Sequence, residues 1–283
     1  MIEEAILQVN RRKKYESEKR KKRKRRRRNN IYDIITAVCV IVICVCSVLI
    51  YEDITYRTDS KAELSEVQQY RPDLTYGKKE EDDVDYDMQA KVSFASLKNI
   101  NSDYVGWILI PGTDIDMPVC QASNNDYYLQ VSFRDEYSPY GCPFLDCGNS
   151  SLFTDDNSVI YGHTTYDGNM FSSLGNYRDQ NYYLNHPFIY MMLEDKTYCY
   201  QVFAAVVLDG SEDYRSPFYS SMADFGDSMR YRSYVSSAAD VNDSSRVLTL
   251  STCVATNSPE RLAIFAVLLN PDGSQVDTSA VSL

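Results

Sequence analysis

Cys253 and Arg261 flank a short polar turn that contains Asn257, Ser258 and Pro259. Apolar runs continue on both sides, VLTLST before the cysteine and LAIFAVLL after the arginine, so the segment reads as two strands joined by a hairpin. In a hairpin symmetric about Asn257, the two residues lie opposite each other and can turn their side chains to one face. A thiol beside a guanidinium suits acyl transfer. Only a few per cent of an ordinary thiol is thiolate at neutral pH, so a nucleophilic cysteine needs a base or a cationic neighbour. Arginine stays protonated and cannot be that base, but its donor fork fits the oxygen of a tetrahedral intermediate. The plainer alternative is a structural cysteine beside a surface arginine, and the pattern alone leaves both open.

A base is easy to nominate because the chain has only 2 histidines, His163 and His186. His163 follows the apolar run Val159 to Tyr161 and Gly162, at a strand end, where rigid scaffolds present functional groups. His186 precedes Pro187 in a polar loop and is not expected to take part.

The elements that must position these residues are mostly strands. Short apolar runs bounded by turn residues recur at VGWILI, SVIYG, YCYQVFAAVVL, VLTLSTC and LAIFAVLL, which predicts a mostly β barrel or sandwich. Val92, Phe94, Leu97 and Ile100 form a helical stripe at the start of the globular part, near Met88. Met222, Phe225 and Met229 predict a second helix within 220–239. There is no internal repeat, Gly-rich phosphate loop or CxxC metal pair, and no cofactor is expected.

At 283 residues with 44% hydrophobic residues, the chain can bury one sizeable core plus an appendage. Its formal charge of -11 is unevenly spread. Residues 1–30 hold 14 Lys and Arg against 4 Asp and Glu, so everything after carries -21 by difference. A basic run such as Lys19 to Arg28 could bind nucleic acid, but it leads directly into the apolar stretch 31–51. About 20 residues at ~1.5 Å rise cover a ~30 Å hydrocarbon layer, so that stretch predicts a transmembrane helix and no nucleic-acid partner. The basic flank places 1–30 in the cytoplasm and the acidic remainder outside. A cleaved signal peptide is disfavoured by the length of the run and by the lack of a small-x-small site before Glu52 and Asp53. Residues 52–87, with KKEEDD at 78–83 and few large aliphatics, are expected to be an unordered acidic stalk before a catalytic domain at 88–283.

Cys39, Cys44 and Cys46 fall in the apolar stretch, which leaves Cys120, Cys142, Cys147, Cys199 and Cys253 outside the membrane. An odd extracellular number suggests a free thiol with a function or an intermolecular bond. The other four can pair or stay reduced.

TLSTC at Thr249 to Cys253, with Arg261 heading the next strand, resembles the sortase signature, and VIYGHTT at Val159 to Thr165 resembles that family's histidine segment. NSDYVGW at Asn101 to Trp107, then PGTDIDMPVCQ and NNDYYL, resembles class B sortases, and the likeness runs from about Met88 to Asn270. It implies an eight-stranded β barrel with a helix before the cysteine strand, and His163, Cys253 and Arg261 as catalytic residues. It further implies cleavage of a sorting signal after Thr in secreted proteins and transfer to an amine of peptidoglycan or its lipid-linked precursor. Ser251 and Thr252 flank the nucleophile and are candidates for substrate contact, strand packing being the alternative. The chain departs from many relatives at Gln130 and Val131, where a histidine is common, and at Val254 and Ala255, where some carry a carboxylate. No fourth catalytic residue is therefore nominated. An extracellular cysteine peptidase and a non-catalytic wall-assembly ectodomain are the competing readings.

Overall fold

The computed structural model describes residues 2–72, 93–165, 168–254 and 258–269. They divide into two compact units, Met1–Arg57 and Thr58–Leu283. The first unit is helical, formed by most of α1 (Ile2–Val67). α1 contains a stretch long and apolar enough to cross a membrane, and none of that stretch is buried in protein. Its two aliphatic hydroxyls are satisfied inside the helix, Thr36 donating to the Tyr32 carbonyl and Ser47 to that of Ile43. That back-bonding pairs both hydroxyls within the helix itself.

The expected stalk needs correction over the part that is described. Residues 52–67 are helical, and from Thr58 onward they belong to the second unit. Val67 is buried and Leu64, one turn earlier, packs against the core. Glu63 accepts a hydrogen bond from the Arg134 backbone at 2.8 Å, and Glu66 pairs with the Arg134 guanidinium at 2.6 Å. Composition counted over the whole segment underrates this stretch. It need not form a core of its own, because two apolar residues at helical spacing suffice to dock on one already folded. KKEEDD lies outside the described residues.

The second unit is a closed barrel of eight strands: β1 (Tyr104–Leu109), β2 (Asp116–Cys120), β3 (Phe144–Leu145), β4 (Asn157–Tyr161), β5 (Phe188–Met192), β6 (Thr197–Asp209), β7 (Val247–Cys253) and β8 (Glu260–Leu268). They close in the order β1-β2-β3-β4-β7-β8-β6-β5. A short helix α2 at 93–100 precedes β1, α3 (Gln180–Asn185) precedes β5, and α4 (Met222–Tyr231) lies between β6 and β7. α4 starts where the Ser221 hydroxyl accepts from the Asp224 backbone, an N-cap of the expected kind.

Alternation along β7 and β8 makes two cores. Leu248, Leu250, Leu262 and Ile264 turn into one with Ile108, Val119 and Ile160. Val247, Ala263, Phe265 and Val267 turn to the other face, where Phe225 and Met229 of α4 and Tyr214 cover them. Three strands escape the sequence reading. Pro118 sits inside β2 and lacks the N–H expected of a ladder residue, β3 is too short to show a period, and β5 follows directly on a His-Pro pair.

Candidate active site

β7 carries the site because it is central. It pairs antiparallel with β8 on one side, where Cys253 is the partner of Arg261, and parallel with β4 on the other, where Ser251 is the partner of Tyr161. Continuing the β4 register two residues brings His163 level with Cys253. The hairpin thus supplies the thiol and the guanidinium, and the parallel neighbour supplies the imidazole. Cys253 is half-buried and free, at the end of its strand.

His163 is held from both ends. Its carbonyl accepts from the Phe171 backbone at 3.0 Å, and the Phe171 ring lies so close to Gly162 that a Cβ there would fall 2.6 Å from it. Only glycine allows that approach without a shift of the ring. At the other end, imidazole Nε2 lies 2.8 Å from the Leu129 carbonyl oxygen. A carbonyl accepts and cannot donate, so this contact puts the proton on Nε2 and leaves Nδ1 as the basic nitrogen. Leu129 closes the 3-10 turn Tyr127–Leu129.

The Arg261 guanidinium folds back on its own turn, Nη1 donating to the Ser258 carbonyl at 2.6 Å and to that of Glu260 at 3.2 Å. Both bonds use one nitrogen. Among the described residues, Nε and Nη2 remain without a partner and can meet a developing oxyanion.

Ser251 and Thr252 are buried, and both hydroxyls are engaged. Ser251 meets the Tyr214 hydroxyl at 2.9 Å, and Thr252 meets the Thr164 hydroxyl at 2.8 Å. Thr164 also donates to the Cys253 carbonyl at 2.7 Å. Tyr214 lies beneath the thiol end of β7, edge-on to Phe265, and burial pushes its phenol pKa up while Ser251, Arg215 and Arg261 oppose the shift. It therefore stays a neutral hydroxyl.

Sequence reasoning brought the thiol, the guanidinium and the imidazole to one place but did not find Leu129, Thr164 or Tyr214. Thr164 carries a signal, since it directly follows the histidine. The Leu129 contribution is a backbone carbonyl, which no side chain announces, and Tyr214 comes from a distant loop. His186 is placed elsewhere: Nδ1 donates to the Pro111 carbonyl at 2.8 Å and its ring packs on Tyr182, ending α3.

The chain is similar to known proteins over most of this unit. A family profile described as the sortase domain matches residues 108–269, more than half of the chain. Sortase B of Listeria monocytogenes serovar 1/2a is 34% identical over 160 residues, 56% of this chain and 65% of that protein, slightly under two thirds of its length. Sortase B of Staphylococcus aureus is 32% identical over 181 residues, 62% of this chain and 74% of that protein. Among solved structures, a Staphylococcus aureus sortase B-substrate complex superposes with a TM-score of 0.66 at 29% identity, covering 76% of this chain and 98% of that one. A mutant form of Clostridium perfringens sortase B also reaches 0.66, at 26% identity over 73% and 97%. The barrel order, the helix before the cysteine strand and these likenesses together place the chain in the sortase family of cysteine transpeptidases, in class B.

Proposed function

We propose that the chain is a membrane-anchored transpeptidase that cleaves a C-terminal sorting signal of secreted proteins after Thr and joins them to a cell-wall amine. The observation that carries this reading is the pairing of Cys253 with Arg261 on one side of β7, with β4, whose register runs on toward His163, on the other. The Cys253 sulfur attacks the scissile carbonyl, and its proton passes to His163 Nδ1. The tetrahedral oxyanion is met by the unused donors of Arg261. Collapse breaks the peptide bond, His163 returns the proton to the departing amine, and a thioester remains on Cys253. The acceptor amine then attacks that thioester and gives up a proton to His163, and the sulfur leaves to regenerate the thiol. The apolar part of α1 would keep the enzyme at the outer face of the membrane, where exported substrates emerge and peptidoglycan or its lipid-linked precursor is at hand.

A cysteine peptidase would use the same first half and let water finish. The two part in how the acyl group divides between water and amine. The full chain in detergent micelles is given a sorting-signal peptide it turns over, with oligoglycine or a diaminopimelate-type amine at millimolar concentration. Incorporation of the amine in preference to water requires the acceptor to be bound and oriented, and orientation supplies effective molarities of roughly 10⁵–10⁸ M. Hydrolysed acid alone, across a broad panel of amines, overturns transfer in favour of hydrolysis.

A further inference from the structure

Two buried thiols outside the site are left unused by this chemistry. Cys120 ends β2, and Cys142 stands two residues before β3, its parallel neighbour. Cys120 is the partner of Phe144, and its backbone N–H donates to the Pro143 carbonyl at 3.0 Å. The Cys142 thiol reaches back across the pair, 3.8 Å from the Pro118 carbonyl, and has the Cys120 thiol as its neighbour. The Asn101 side-chain amide donates to the Cys120 sulfur at 3.6 Å and fixes its position. Of the remaining thiols in this unit, Cys199 is buried and bonded to Tyr190, Cys147 is exposed, and Cys253 is the nucleophile.

We propose that Cys120 and Cys142 form an intramolecular disulfide that staples the 120–142 segment. The proposal rests on the extracellular placement of this unit, where low-molecular-weight disulfides are the oxidant. Cys142 lines the cleft between residues 60–67 and the barrel, whereas Cys120 is sealed, so Cys142 meets the oxidant first. Its sulfur displaces one thiolate from the small disulfide, which takes up the Cys142 proton. The Cys120 sulfur then attacks Cys142, forms the intramolecular bond and expels the second half of the reagent, which takes up the Cys120 proton. Two protein thiols and one small disulfide become one protein disulfide and two small thiols. Burial pushes the Cys142 thiol pKa up and slows exchange in the folded state, so the bond forms most readily as the chain folds, and the same burial shields it afterwards.

The segment so closed holds the nitrogen-fixing carbonyl of the site. The Cys142 backbone donates to the Tyr128 carbonyl at 3.0 Å, adjacent to Leu129, whose own carbonyl holds His163. The staple therefore ties the support of the imidazole to β2.

The test uses the full chain, reduced and then incubated in detergent micelles with oxidised glutathione, both as folded and on refolding from urea. Free thiols are alkylated under denaturing conditions, and the protein is digested without reductant. A cross-linked peptide containing Cys120 and Cys142, two hydrogen masses below the sum of its parts, is the expected result. In melting scans, dithiothreitol should lower the Tm of the oxidised protein by roughly 5–10 °C, and should leave that of a Cys120→Ala/Cys142→Ala variant unchanged. Both cysteines recovered alkylated in both arms, either one joined to glutathione or to another cysteine, or an equal response of the variant to reductant overturns the proposal. These readouts involve no turnover, so they stand whether or not the chain proves to be a transpeptidase.

Discussion

The Thr164 hydroxyl donates a 2.7 Å hydrogen bond to the carbonyl oxygen of Cys253 and shares a second bond with Thr252, which ties the residue after His163 to the strand that ends in Cys253. A single side chain thus spans the β4–β7 pair just beyond its last ladder bonds and sets the spacing of imidazole and thiol.

Thr164→Val removes that clamp and leaves the Thr252 hydroxyl and the Cys253 carbonyl unpaired, a loss on the order of 1–3 kcal/mol. We expect kcat to fall about tenfold or more, with a smaller change in KM, and Thr164→Ser to restore most of it. Thr164→Ser as slow as Thr164→Val would mean that the methyl group, not the hydroxyl, matters.

Replacing Cys253 with Ala should abolish turnover and leave the melting temperature close to that of the parent, because the thiol is half-buried at a strand end and little cavity is left. His163→Ala should lose roughly 10²–10⁴ in rate, the usual contribution of general acid–base catalysis. His186→Ala loses a bond to Pro111 and the contact with Tyr182, so its effect should appear in Tm and hardly in kcat. Equal losses of rate in both histidine variants would remove His163 as the base.

Arg261→Lys keeps the charge and loses the planar fork, so it cannot bond its own turn and an oxyanion at once. If Arg261 supplies a donor to the intermediate, the exchange should cost about 2.7–4 kcal/mol of transition-state stabilisation, read as kcat/KM on a signal peptide. Wild-type kinetics in the lysine variant would point to a general electrostatic role.

A fragment beginning at Thr58 should melt above one beginning at Lys79, because the shorter one lacks Val67 and Leu64. Full burial of each such side chain contributes roughly 1.5–3 kcal/mol, and differential scanning calorimetry of the two fragments reads the difference. Equal melting temperatures would show that the docked turn adds nothing.

Glu63 gives stability a pH dependence. Burial raises its carboxyl pKa, against the lowering effect of the Arg134 backbone bond and Ser132. With the folded value above the unfolded one, the unfolded chain ionises first as pH rises. Stability from this group is therefore fully present below the ordinary carboxylate pKa and is lost through the folded one. Glu63→Gln should raise Tm relative to the parent at pH 7, and the gain should shrink toward pH 4. A gain independent of pH would exclude ionisation as its cause.

What the sequence determined by itself was chemistry and local periodicity. The symmetry of Cys253 and Arg261 about Asn257 predicts their pairing because a hairpin is closed by nearby residues. Helix α4 was legible from apolar spacing, and the membrane-length stretch from run length and flanking charge. The placement of His163 beside the end of β7 became legible only through a family likeness, because β4 and β7 are parallel and far apart in the chain, and no local signal records which strands become neighbours on closure of a barrel. Tertiary structure alone decided the clamp of Thr164, the Leu129 carbonyl that selects the imidazole tautomer, the placement of Tyr214 under Ser251, and the docking of Leu64 and Val67. Each is a contact between segments distant in sequence, and composition and periodicity do not record which distant segments meet.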